Sequence, residues 1–249
     1  MVLPMPAAEI APRPAPPAAW IFLSAGLITA PVFTLTPVLG AGAWVLVSAI
    51  HEMGHTTFAW CSGSPAVPVL DIFSGSGGHA ATFRYEPIAA LQWAAWALII
   101  ALAVRTWTQQ SPLRWCAALS VVIYPVMTWE PHARELGQVL AGHIAELVFA
   151  SICLWRARTG RSTAGFAERA TYGCVGWYFL FNAAWLQLGL TFVPSVRTWY
   201  EGARSYGIAN DYLRAADALH APLGAVALLM FVLTLAAGTM PLLWRSSQR

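Results

Sequence analysis

Residues 51–55 read HEMGH and sit inside the apolar run AGAWVLVSAIHEMGHTTFAW. On a helix, His51 and His55 are one turn apart, at i and i+4, and project from the same face. Two imidazoles on adjacent turns can reach a single zinc ion at about 2 Å from each nitrogen. Glu52 is rotated from His51 by about 100°. In an HExxH arrangement that places its carboxylate beside the metal's water, where it serves as general base. An ionisable group in an apolar span is costly and faces a protein interior or a wet cavity, so each is a functional candidate.

A later run, PHARELGQVLAGHIAELVF, supplies a second source of chemistry. At 100° per residue His132, Glu135, His143 and Glu146 fall on one face, within roughly 80°. The two histidines are about 16 Å apart along the axis, too far to share an ion. They form a mouth level (His132, Glu135) and a deep level (His143, Glu146). Counted from the helix ends at 1.5 Å per residue, His51 is about 15 Å deep, His55 about 9 Å, His143 about 18 Å and Glu146 about 22 Å. Asn182, on a further span, comes out near 16 Å. His143 is therefore the candidate third metal ligand, with Glu146 or Asp211 as alternatives, and Asn182 is a candidate substrate-binding group. His132 and Glu135 read as the solvated first turn of a helix whose first residue is Pro131, where an acid suits the helix dipole. His79 and His220 read as loop or interface residues with no partner visible in the sequence.

The elements that must position these groups follow from composition. The chain has 249 residues, 58% hydrophobic and 10% charged, and a mean hydropathy of +0.58. This is the balance of a helical membrane protein, here all-α and polytopic. The thirteen Trp and seven Tyr suit interfacial anchoring. All fourteen basic residues are Arg, and the net charge of +3 is scattered, which argues against nucleic acid as a partner. Seven hydrophobic segments approach the length of a span: Ala18–Leu39, Ala41–Cys61, Pro87–Ala103, Leu113–Trp129, Pro131–Trp155, Ala170–Val193 and Ala221–Trp244. The expectation is thus six to seven transmembrane helices in one domain, 18–245, preceded by a disordered Pro/Ala-rich tail, 1–17.

Two connections carry pattern. Residues 62–85 alternate weakly around a Gly-rich turn and predict a short β-hairpin after the second span. Residues 194–220 predict a surface segment ending in a short helix capped by Asn210 or Asp211. The four cysteines have no metal or disulfide spacing and read as buried small apolar residues. Arg105, Arg114, Arg156, Arg158, Arg161, Arg169, Arg245 and Arg249 fall on one side in short loops. The positive-inside rule puts that side in the cytoplasm and the N-terminus outside. The chain is expected to be an integral membrane protein of a bacterial cytoplasmic (inner) membrane.

HEMGH within a span, followed by the Gly-rich SGSGGHAATF, resembles the site-2 protease family of intramembrane zinc metalloproteases. The likeness covers residues 41–84. It implies His51 and His55 as zinc ligands, Glu52 as general base, and strands near the site that hold an extended substrate by edge pairing. It implies cleavage of a membrane-protein or signal-peptide substrate within the lipid bilayer. The family's third ligand is an Asp in an Asp-Gly pair, and this chain has no Asp-Gly. Asp211 and the pair His143/Glu146 stand nearest to that role, and Asn182 could occupy the place of the family's substrate-binding Asn. The family usually opens its site towards the cytoplasm, whereas the Arg count opens the HEMGH end outward. Two other classes compete: a membrane non-haem iron oxidoreductase or hydroxylase using the His/Glu-rich helices, and a non-catalytic metal-binding protein.

Overall fold

The computed structural model describes residues 16–71, 77–83, 86–109, 114–160, 163, 165–202, 204–205 and 208–243. All seven apolar segments form helices. They are α1 (Pro16–Leu35), α2 (Pro37–Cys61), α3 (Ala89–Thr108), α4 (Arg114–Trp129), α5 (Pro131–Thr159), α6 (Phe166–Phe192) and, last in the chain, α9 (Leu223–Leu243). The hairpin between α2 and α3 is β1 (Ala66–Asp71) and β2 (Gly77–Thr82), antiparallel with Ala66 opposite Thr82 and Asp71 opposite Gly77. Between α6 and α9 lie two short helices, α7 (Pro194–Gly202) and α8 (Asp211–Leu219), with the two-residue strands β3 (Arg204–Ser205) and β4 (Ile208–Ala209) between them. The predicted tail falls almost wholly outside the described residues, although α1 begins at Pro16.

Local chemistry sets the ends that matter for the site. Pro37 opens α2 and Pro131 opens α5, where a missing N–H costs nothing. The Glu130 carboxylate caps α5 by accepting the Ala133 N–H at 2.5 Å, and its acidity rises because backbone N–H groups favour the charged form. At the other end Gly160, with φ 64°, provides the left-handed turn that stops α5.

α5 is the hub, packing against α2, α4, α6, α8 and α9. Its buried face is rich in small residues, Gly137, Ala141, Gly142 and Ala150 among them. Gly54 on α2 meets it so closely that an added Cβ would strike the Ala141 carbonyl and, at 2.6 Å, the Ala145 methyl. Small residues at such a seam let helix backbones approach, which brings the histidines of α2 within hydrogen-bonding reach of α5.

Large apolar side chains face outward on every long helix, including Ile28, Val38, Leu98, Val122, Val148, Trp185 and Leu229. A water-soluble surface does not carry such a coat, and lipid explains it. By length and composition α3, α5 and α9 can each cross a membrane, and the number rises to five if the bent pairs α1/α2 and α6/α7 each count as one span. That is fewer than the six to seven crossings expected. α4, at 16 residues, is about 24 Å long, short of a hydrocarbon core of about 30 Å.

Two sequence expectations need correction. Residues 194–220 are not simply a surface segment, because α8 folds back and buries Tyr212, Ala215 and Ala216 in the core. Its helix has alternating polar and apolar faces, and the apolar one requires cover. Of the four cysteines only Cys153 is buried, while Cys116 is exposed and Cys61 and Cys174 are half-buried.

Candidate metal centre

The site is assembled where α2 and α5 touch and α8 folds back over them. His51 and His55 share a face of α2, their ring centroids 4.6 Å apart and their Nε2 atoms 2.9 Å apart. Asp211, the first residue of α8, puts its Oδ2 at 2.9 Å from His51 Nε2 and 3.0 Å from His55 Nε2. Asn210 occupies the N-cap position without a capping side-chain bond; its Nδ2 instead donates to the Tyr200 carbonyl at 3.0 Å.

The opposite ring nitrogens fix the proton positions. His55 Nδ1 lies 2.6 Å from the Gln138 carbonyl, which can only accept, so Nδ1 carries the hydrogen. His51 Nδ1 lies 2.5 Å from Glu146 Oε1 and donates to that carboxylate. In the neutral imidazoles both Nε2 atoms are then bare lone pairs, facing each other and a carboxylate oxygen. Three acceptors at 2.9–3.0 Å repel unless a cation lies among them. A shared proton meets that need, and so does a metal ion, for which a tetrahedral site of Zn–N length spreads its donors by about 3.3 Å.

The surroundings fit this reading. Gly142 lies under both rings: an added Cβ would come within 2.6 Å of Nε2 of His51 and of His55. Glu52 is 4% exposed, and its Oε2 has no hydrogen-bond partner among the described residues. Gly78 of β2 rests on the Glu52 side chain, with 2.5 Å from an added Cβ to its Cγ, so the hairpin covers the carboxylate. The polar donors of α2 open into a cavity of about 760 Å³ that also meets β2 along Gly78–Thr82.

Asp211 is held there by a chain of polar contacts. Tyr212 is wholly buried and its hydroxyl accepts from Gln187 Nε2 on α6 at 3.0 Å. Gln187 Oε1 in turn accepts from Thr234 Oγ1 on α9 at 2.9 Å. Two helices therefore fix the start of α8, which a surface loop could not do.

Of the candidate third ligands, Asp211 is the one that meets both Nε2 atoms. His143, the expected ligand, belongs to a second group with His51 and Glu146 that could also hold an ion. In that group His143 Nδ1 is 3.7 Å from Glu146 Oε1, and its ring stacks on Tyr212 at 4.3 Å. Glu146, 5% exposed, is spent on His51. The deep level of α5 thus orients His51 and packs beside it. Asn182 on α6 lines the same cavity, as its estimated depth suggested. His132 and Glu135 are exposed at the start of α5, and His220 ends α8 at a left-handed φ of 49°.

Several members carry no sequence signal. His79 lies in β2 opposite Val69 and lines the cavity. Tyr200 on α7 lines it as well, Gln138 acts through its backbone carbonyl, and Gly142 acts by lacking a side chain. No protein-family model, curated protein or solved structure matches this chain.

Proposed function

We propose that this protein is an intramembrane zinc metalloendopeptidase that cleaves a membrane-protein or signal-peptide substrate. The carrying observation is the convergence of two bare imidazole nitrogens and the Asp211 carboxylate beside a buried Glu52 with an unbonded oxygen. His51, His55 and Asp211 would hold the ion. Zinc bound there supplies a Lewis acid that makes water nucleophilic at neutral pH.

The residues of the chain do the rest. Glu146 and the Gln138 carbonyl pin the outer nitrogens of His51 and His55 and so aim the inner ones. Glu52 takes the proton of the attacking water and passes it to the leaving amine. β2 covers Glu52 on one side, and its edge away from β1 is where an extended peptide pairs. Asn182 and Tyr200 face the same cavity and are placed to hold the substrate backbone. In this reading six or seven of the helices enter or cross a bacterial cytoplasmic membrane, whose core excludes bulk water from the site.

Glu52→Gln keeps the ligands and the volume but removes the base. Cleavage of a co-expressed membrane substrate should fall by about 10²–10⁴-fold with zinc content unchanged. Cleavage at the parent rate would remove Glu52 from the mechanism. A second reading, a non-haem iron enzyme, draws on the three imidazoles and two carboxylates gathered around His51. Elemental analysis separates them: one zinc per chain favours the peptidase and iron the alternative.

A further inference from the structure

A smaller cavity of about 380 Å³ adjoins the catalytic one at the start of α5. Thr82, Gln138 and Arg214 line both, so the two are neighbouring compartments of one cleft. The outer compartment is also lined by Arg134, and among the described residues Glu135 is the single carboxylate in its lining, leaving two guanidiniums against one acid. Arg134 and Arg214 are half-buried, and neither has a carboxylate within ion-pairing distance among the described residues. A guanidinium presents five donors in a rigid planar fork, a geometry matched to carboxylate and phosphate oxygens. Two of them beside a cleft make a fitting receptor for an anion that arrives from outside, because their forks match a carboxylate.

Their position says which anion. Arg214 is one turn from the ligand Asp211 on α8. Arg134 is one turn before Gln138, whose carbonyl holds His55. One turn is about 5.4 Å, which an extended peptide at about 3.3 Å per residue covers in roughly two residues. Thr82 ends β2, the strand that runs beside Glu52, so a peptide following that strand leads into the outer compartment.

We propose that Arg134 and Arg214 form a subsite for the carboxylate of an acidic substrate side chain, about two residues from the scissile bond. The subsite rests on the peptidase reading for its substrate, and it confers specificity for peptides that carry an acid next to an apolar stretch.

Binding tests it apart from catalysis. The probe is a set of acetylated, amidated apolar hexapeptides with one Glu moved through successive positions, each matched by its Gln counterpart. Affinities are measured by calorimetry on zinc-loaded Glu52→Gln protein in detergent. At one or two adjacent positions the Glu peptide should bind about tenfold tighter than its partner. That ratio should fall towards one in Arg134→Gln and in Arg214→Gln, and recover in part in Arg214→Lys; zinc content equal to the parent's reports an intact fold. A ratio of one at every position overturns the proposal, as does a ratio that neither arginine variant alters. Dihexanoyl phosphatidate that binds more tightly than any Glu peptide, in an arginine-dependent way, overturns it in favour of a lipid headgroup site. Wild-type protein that binds the Glu peptides but cleaves none retires the peptidase and keeps the carboxylate site. Cleavage indifferent to the acid does the reverse.

Discussion

α5 carries the same four-residue pattern twice, HARE at 132–135 and HIAE at 143–146, and the two copies have opposite fates. At the mouth, His132 and Glu135 are exposed. In the deep copy, Glu146 is buried against His51 and His143 is wedged between His51 and Tyr212. Both copies lie on one face of one helix, so neither spacing nor propensity separates them. What differs is the neighbour. Next to the deep copy, Gly54 lets α2 in close and α8 folds back, whereas the mouth copy sits in the first turn of its helix, open to solvent. A titratable pair is drawn into a buried cluster only where other elements supply the remaining polar groups.

The largest effect expected from this contrast is at Asp211. Asp211→Ala should lose most of the zinc, while His143→Ala should retain it, read by elemental analysis after dialysis. Equal loss in the two would make the deep copy a direct ligand and reverse the assignment. Next comes Glu146→Leu, which keeps His51, His55 and Asp211 but frees His51 Nδ1; zinc affinity should fall about 10- to 100-fold in a chelator competition. The matched change at the mouth, His132→Ala, should leave that affinity as it was and shift stability by no more than about 0.5 kcal/mol. If both variants weaken zinc alike, the two levels are not distinct. A smaller effect than at Glu146 belongs to Gly142→Ala, whose methyl would press on both imidazoles. A strain of about 1–3 kcal/mol from overpacking should show as roughly tenfold weaker zinc with the helix content intact. An unchanged affinity would mean that the rings can move aside, and that the small-residue floor does not define the site.

Much of this molecule is legible in one dimension. The seven helices follow from hydrophobic run length, and the hairpin from alternation around glycines. HEMGH follows from helix periodicity, which puts two imidazoles on one face whatever surrounds them. Counting residues at a fixed rise also groups His51, His143 and Asn182, which line one cavity. These are local properties, set within a few turns of backbone.

The third ligand and the span count are of another kind. Asp211 reads both as a helix-capping residue in a polar connection and as one of three candidate third ligands. It is the one that meets both histidines because Tyr212, Gln187 and Thr234 join three helices that are distant in sequence. Gln138 enters through a carbonyl that every residue possesses, and Gly142 through an absence, so residue type cannot announce either. Arg134 and Arg214 are eighty positions apart and meet only at the edge of a cleft. The sequence determined which groups could do chemistry and on which helix face they stand. The tertiary structure decided which of them meet, because contact between helices depends on the backbone approach and the fold-back of α8, neither of which has a period to read.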